Sequence, residues 1–466
     1  MGSKETTKKQ SDADQPQDGA KKNTLYGLTV RALLILALGY FMVKPYLDRP
    51  KEDDSARQTF KIRGETMGTV WNASVVASPT YLVKLNNKGV ADKPKLGDKA
   101  KAAKDEKTED ELVGSCEELL GRLVQRELDK IDGLASTYRS DSEVARFNRS
   151  DSTDWFPVSE DLAKIVAVAL DVSKKTKGAY DVTVAPLVNL YRFGPNKTPL
   201  AAFPSDEEID ALRQRVGCDK LEVRLAPAPA LRKAIPDLTI DLSSVAKGYA
   251  VDRVAETLEA SGLNDYLVEI GGEIRCRGKK LDPITNDPVK WTLGLQSPEV
   301  VPQGVASTRV PDVYRFVYVD SDDKSAAIAT SGDYNNYAQV GDLRYSHFVD
   351  PRTGRPTEVI NPDHEPESLL GSVSVLAADS TALSCAQADA YATAFSVLGE
   401  EEGLPLANEL GLAVLFLSRS DDAATQISES ASDSFKTAIN SVRADAVSDA
   451  QTQDAEENAD EKKNEK

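Results

Sequence analysis

Apolar and polar positions repeat with two different periods along this chain, and the changes of period mark its elements. In FKIRGETMGTVWNASVV they alternate in strand fashion around a kink at Met67-Gly68-Thr69. Leu119, Leu120, Leu123, Leu128 and Ile131 recur at helical spacing and predict a helix from about Cys116 to Leu134. Ser142 and Glu143 open another short helix. A further helix is expected over Ser159 to Lys175, closed by Gly178, and PSDEEIDALRQRV predicts one capped by Ser205 or Asp206. Leu238 to Leu242 reads as a strand ending in small polar residues. Behind it Val251, Val254, Ala255 and Leu258 form the stripe of a helix entered through Lys247-Gly248 and stopped by Ser261-Gly262. Tyr266 to Ile270 is a strand closed by Gly271-Gly272. WTLGLQSP and VYRFVYVD are strands, and AIATSGDYNNYAQVGDLRYSHFVDPRTGRP holds two short ones around glycine turns. SLLGSVSVLAADSTALSC supplies another strand, AQADAYATAFSVLGEEEGLPLANELG two helices, and LAVLFL a last buried strand. No internal repeat is present.

A different pattern opens the chain. TLYGLTVRALLILALGYFMV, residues 24–43, is an apolar run as long as one bilayer crossing, with Arg31 near enough to one end to snorkel. Residues 1–23 are polar and carry five lysines, which predicts a cytoplasmic tail followed by a transmembrane signal anchor and an exported body. Lys44, Arg49 and Lys51 on the far side oppose that orientation. A cleaved signal peptide and a buried soluble helix are the rival readings, but no small-x-small cleavage site or lipidated cysteine follows the run. Residues 44–58 are a charged linker, and globular sequence is expected over 59–420. Residues 79–114, rich in Lys, Asp, Glu and Gly, read as a surface insertion. Residues 421–466, with twelve acidic against five basic residues, read as a disordered tail.

A net charge of −18 disfavours nucleic acid as a partner. Four scattered cysteines form no C-x-x-C pair, and two histidines, His347 and His364, exclude a histidine-rich metal site. The candidate chemistry lies elsewhere. Asp389 and Thr393 are four apart on a predicted apolar helix and so share a face. Their oxygens suit Mg²⁺, although such an aspartate could equally serve a neighbouring backbone turn. Asp241, Ser243, Ser244 and Lys247 crowd a helix start, where backbone N–H groups attract anions and where capping is the simpler alternative. His347, in YSHFVDPRTG, is a proton acceptor or a surface histidine. Arg352 and Arg355 in the same turn could face phosphate, and Tyr138 and Tyr180 could stack on an aromatic ring or pack in the core.

TMGT, STYRSDSEVARFN, GAYDVTVAPLVNLYRFGP, IDLSSVAKGYAVDR, YLVEIGGEIRCRG, ATSGDYNNY, YSHFVDPRTG and ADAYATAFSVLG stand in the order seen in the ApbE-type FAD:protein FMN transferases. From about Phe60 to Leu417 the chain resembles that family. The resemblance implies an α+β domain of the T-fold type and an Mg²⁺-dependent enzyme with FAD as its substrate. Such enzymes move FMN from FAD to a threonine hydroxyl of another protein and release AMP. Carried over by motif, Met67 and Tyr138 hold the flavin part, and Ala179, Tyr180, Asp181, Asp241, Lys247 and Val349 line the FAD site. Asp389 and Thr393 become metal ligands, joined by Ser244 through its backbone carbonyl. Lys247 adds positive potential for the phosphoryl oxygens, and His347 takes the acceptor's proton. Implied partners are acceptor flavoprotein subunits, as in sodium-pumping quinone reductases or related electron-transfer complexes. No acceptor-like Ser-Gly-Ala-Thr segment is present, so acceptors act in trans. The implied location is the inner (cytoplasmic) membrane, single-pass, with the catalytic domain on the extracytoplasmic side. An FAD pyrophosphatase giving FMN and AMP, and a flavin-binding protein without turnover, are the alternatives.

Overall fold

The computed structural model describes residues 57–87, 109–194, 198–299, 312–319, 325–332, 337–361, 369–377, 384–420 and 425–438. Its centre is an eight-stranded sheet: β1 Gln58–Thr66, β2 Thr69–Ala77, β3 Tyr266–Ile270, β4 Glu273–Arg277, β5 Ala326–Gly332, β6 Leu369–Ala377, β7 Ala413–Arg419 and β8 Ile427–Ala431. Spatial order follows chain order, and every neighbouring pair is antiparallel. Apart from the short segment after β8, the rest of the described domain is therefore inserted between consecutive strands of one meander.

The two-residue period of a strand assigns its side chains to two cores. In β7, Val414 and Phe416 join the large core under the helices, while Leu415 and Leu417 join a second core on the other face. The helical face carries α1 Pro79–Asn87, α2 Glu109–Ala135, α3 Glu143–Arg149, α4 Glu160–Lys175, α7 Ala246–Ala260 and α8 Cys385–Glu409, while α5 Ala185–Leu190 and α6 Asp206–Arg213 pack in a third core with Tyr345 and Val349. Leu120, Leu128 and Ile131 of α2, Val251 and Val254 of α7 and Phe395 of α8 are all fully buried in the large core. Ser142, Ser159, Ser205 and Ser384 each accept a backbone N–H in the first turn of α3, α4, α6 and α8. Each such cap contributes about 1 kcal/mol. The opposite face is covered by a three-stranded antiparallel sheet, Lys279–Leu281, Pro288–Gln296 and Val313–Val319, through Trp291, Leu293, Leu295 and Val317. The result is the expected α+β arrangement.

Several boundaries differ from expectation, each for a physical reason. Residues 79–114 are not simply a surface insertion: α1 buries Tyr81, Leu82 and Leu85, and α2 begins at Glu109, ahead of Cys116. Only residues 88–108 of that stretch lie outside the described residues. The acidic segment after 420 is also not tail throughout. Ile427–Ala431 pairs with β7, and Phe435 fills the second core. Acidic composition averaged over 421–466 hides those few apolar residues. Leu238 to Leu242 forms no strand ladder. Ile240 instead exchanges two bonds with the Asn148 side chain, N–H to Oδ1 at 2.8 Å and C=O from Nδ2 at 2.8 Å. The two helices expected in 386–411 are both present, following one another within Cys385–Glu409 across a non-helical Gly399, where φ is +69°. The proposed membrane anchor at 24–43 and residues 439–466 lie outside the described residues. Among the described residues no helix is long and apolar enough to cross a membrane.

Candidate active site

Two helices far apart in the sequence, α7 and α8, meet near their N-termini. Asp389 on α8 is 2% exposed, and its Oδ2 accepts the Gly248 N–H of α7 at 3.0 Å. Asp252 on α7 is also buried, and its oxygens accept the Cys385 and Ala386 N–H groups of α8 at 3.1 and 3.0 Å. Each helix thus offers a carboxylate to first-turn amides that lack an intrahelical partner in the other. Arg275 of β4 donates to Asp252 Oδ1 at 2.8 Å and completes the clasp. Only a glycine fits at 248, because a Cβ there would lie 2.4 Å from the Cys385 carbonyl oxygen.

Beside the clasp opens a cleft of about 490 Å³, within the range of small-molecule sites. Every residue expected at the site except Met67 lines it: Tyr138, Ala179, Tyr180, Asp181, Asp241, Ser244, Lys247, His347, Val349, Asp389 and Thr393. Met67 lines an adjoining cavity of about 500 Å³ that shares Tyr138, Asp241 and Lys247 with the first. It sits at the tip of the β1–β2 hairpin with φ +48°. A non-glycine side chain is held in that conformation at a cost of about 1–2 kcal/mol.

The individual residues divide by what already occupies them. Tyr180 is buried, and burial holds its hydroxyl well above the usual range, so it stays a neutral phenol. Ser244 Oγ lies 3.1 Å from that hydroxyl, which fixes the loop ahead of α7. Tyr138 is 71% exposed at the mouth and free to stack. Asp181 is engaged by the Thr183 N–H and hydroxyl at 2.7 and 2.6 Å and by the Cys218 N–H at 2.8 Å. Its carboxylate therefore knits two loops at the cleft wall. Arg352 is held by Asp350 and Glu402, and Arg355 by Asp206, so neither guanidinium is aimed at the cleft as a phosphate ligand. The imidazole of His347 is flanked by Phe348 and Phe193, with ring centroids 4.0 and 6.0 Å away.

Sequence reasoning missed Glu273, Ser331 and the clasp partner Asp252. Glu273 is 2% exposed and accepts the Lys247 ammonium at 2.6 Å on Oε1. Burial, reinforced by the charge of Asp389, pushes its carboxyl up to about 8. Burial likewise raises Asp389. Burial opposes the charge on Lys247, but Glu273 and Asp389 outweigh it and hold the ammonium above its ordinary range. Ser331 Oγ lies 3.3 Å from Thr393 Oγ1. The signal for Glu273 was its place after Gly271-Gly272, a tight turn that returns the chain towards α7.

A hard divalent cation suits this donor set. Two buried carboxylates face one ammonium, and Glu273 Oε2 has no hydrogen-bond partner among the described residues. No group of three or more His, Cys, Asp or Glu side chains gathers among the described residues. A cation here would therefore draw on one carboxylate with hydroxyl and carbonyl oxygens, as Mg²⁺ accepts. Asp389, Thr393 and Ser244 all reach the same cleft.

Comparison with known proteins agrees with this architecture. The ApbE family model matches residues 67–416. The FAD:protein FMN transferase of Vibrio cholerae is 35% identical over 402 residues, covering 86% of this chain and 97% of that protein. That of Escherichia coli K12 is 34% identical over 394 residues, 84% of this chain and 93% of the relative. The solved flavin transferase ApbE from Vibrio cholerae superposes with a TM-score of 0.59 at 35% identity, over 82% of this chain and 99% of the other. The apo flavinyl transferase ApbE of Pseudomonas stutzeri gives 0.60 at 29% identity, over 83% and 98%. With the whole site-bearing region matched, the chain belongs to the ApbE family.

Proposed function

We propose that this ApbE-family enzyme transfers FMN from FAD to a threonine hydroxyl of an acceptor flavoprotein, releases AMP, and binds Mg²⁺ through Asp389, Thr393 and the Ser244 carbonyl. The observation that carries the reading is the meeting of Lys247 with Asp389 and Thr393 in one cleft, from segments far apart in sequence. The flavin-transferase names of the relatives support it. In the reaction the threonine oxygen bonds to the FMN-side phosphorus, and the bond from that phosphorus to the bridging oxygen breaks. AMP leaves with the bridging oxygen. His347 takes the threonine proton, its ring orientation limited by Phe193 and Phe348. Lys247, at the start of α7, adds positive charge for the phosphoryl oxygens. Tyr138 and Met67 hold the isoalloxazine at the mouth. When bound, Mg²⁺ supplies charge neutralisation at the pyrophosphate. The apolar run at 24–43 tethers the enzyme to the cytoplasmic membrane, with the catalytic domain on the extracytoplasmic side.

The test incubates the protein with FAD, Mg²⁺ and acceptor flavoprotein subunits and looks for flavin fluorescence on a denaturing gel. A fluorescent acceptor band that requires Mg²⁺ is expected. FMN and AMP release with no labelled protein, across a range of acceptors, would identify a pyrophosphatase instead.

A further inference from the structure

Glu273 is the first residue of β4, directly after the Gly271-Gly272 turn, whose φ values of +63° and +109° suit glycine. Its side chain reaches Lys247 of α7 and lines the cleft. There Oε1 holds the Lys247 ammonium, while Oε2 is buried and has no hydrogen-bond partner among the described residues. Glu269, on the other strand of the same hairpin, is a contrast. Its two oxygens accept the Gly272 N–H at 2.9 Å and the Asn72 amide at 2.6 Å. A carboxylate needed only to anchor a lysine would have its second oxygen in water or on a backbone amide. Glu273 lines the cleft, and its second oxygen, buried and left unserved, is a place kept for a ligand's donor once a cation's charge holds the carboxyl ionised. The neighbouring carboxylate is Asp389, so the donor expected there is a water on a cation rather than an anionic phosphate.

We propose that Glu273 is a positioning residue for the divalent cation: Oε1 fixes Lys247, and Oε2 accepts a hydrogen bond from a water in the cation's hydration shell. The inference rests on the cation reading of Asp389 and Thr393. The probe is Mn²⁺, titrated into the full chain without FAD, with free Mn²⁺ read by electron paramagnetic resonance. Glu273→Gln keeps an acceptor for Lys247 and puts an amide donor in place of the unserved oxygen. It should weaken Mn²⁺ binding about 10- to 100-fold, as loss of a partner behind the ligands does. The same substitution in a Lys247→Met background should still cost about tenfold. An effect that vanishes in that background, or Mn²⁺ binding by Glu273→Gln equal to the parent, overturns the proposal. Glu273→Ala, whose folding is checked by urea denaturation, should behave like Glu273→Gln. Asp389→Asn separates the two levels. If the parent binds no Mn²⁺, or Asp389→Asn binds it as well as the parent, the cation site itself falls. If binding needs Asp389 but ignores Glu273, only the present proposal falls.

Discussion

Replacing Gly248 by alanine tests whether α7 and α8 touch as closely as the site requires. The new methyl would lie 2.4 Å from the Cys385 carbonyl oxygen, 2.7 Å from its carbon and 2.8 Å from the Ala386 Cα. These are backbone atoms of the first turn of α8, pinned by Asp252 and Ser384, so none can swing aside. Carbon contacts relax only near 3.5 Å, so the helices must part by about 1 Å. In an open helix the same substitution gains about 1 kcal/mol. Here overpacking costs about 1–3 kcal/mol. Stretching the Gly248 N–H bond to the Asp389 carboxylate costs about 1.5–3 kcal/mol more. The net expectation is a loss of about 1.5–5 kcal/mol, opposite in sign to helix propensity. Urea denaturation reads it directly. Flavin transfer, assayed well below the unfolding transition, should fall about 100-fold in kcat/KM, because Asp389 and Thr393 shift against Lys247. A Gly248→Ala protein as stable and as active as the parent would refute the close approach and the clasp built on it.

Three further outcomes are expected. Asp389→Asn keeps an acceptor for the Gly248 N–H and removes a buried charge, so the urea midpoint should hold while Mg²⁺-dependent flavin transfer is lost; retained transfer would remove Asp389 from the metal set. Asp252→Ala strips two first-turn amides of α8 and leaves Arg275 with Glu259 as its ion-pair partner among the described residues. It should destabilise by about 3–5 kcal/mol in urea, and an unchanged midpoint would show that the clasp contributes nothing. Phe435→Ala should cost about 3–5 kcal/mol, whereas a chain ended at Ser420 with undiminished stability would show that residues 425–438 are not part of the fold.

Local order was legible wherever one residue type had one physical job. Ser142, Ser159, Ser205 and Ser384 are caps because a short hydroxyl reaches a first-turn amide, and three of the four helices they open were readable with their starts. The failures came from averaging. Lysine-rich and acidic stretches concealed Tyr81, Leu82, Leu85, Ile427 and Phe435, single residues that decide burial without moving a composition. Leu238–Leu242 looked like a strand because apolar residues alternate there, but its partners are the Asn148 side chain and, at Asp241, a single backbone bond to Val182. No local pattern announces such a pairing. At the site, sequence could name Asp389 because a carboxylate in an apolar helix has to be explained. It could not give Asp252 its role, since α7 supplies no hint that the α8 amides lie against it.

The meander accounts for the way these residues come together. Met67 occupies the β1–β2 turn, while Tyr138, Tyr180, Asp241 and Lys247 lie in the long β2–β3 insertion. Glu273 follows the β3–β4 turn, Ser331 is near the end of β5, His347 lies between β5 and β6, and Asp389 between β6 and β7. Successive connections of an antiparallel meander alternate between the two ends of the sheet, so the β1–β2, β3–β4 and β5–β6 connections share one end, and the helices inserted between β2 and β3 and between β6 and β7 bring Lys247 and Asp389 to the same cleft. The clasp then ties their chemistry to the fold. The carboxylate assigned to the cation also receives an amide of α7, and its counterpart Asp252 receives two of α8. The α7–α8 packing cannot loosen without displacing Asp389 from Lys247. Stability and activity should therefore fall together for substitutions in the α7–α8 contact, and fall separately for substitutions at Tyr138 or His347, which touch the cleft but carry none of the clasp.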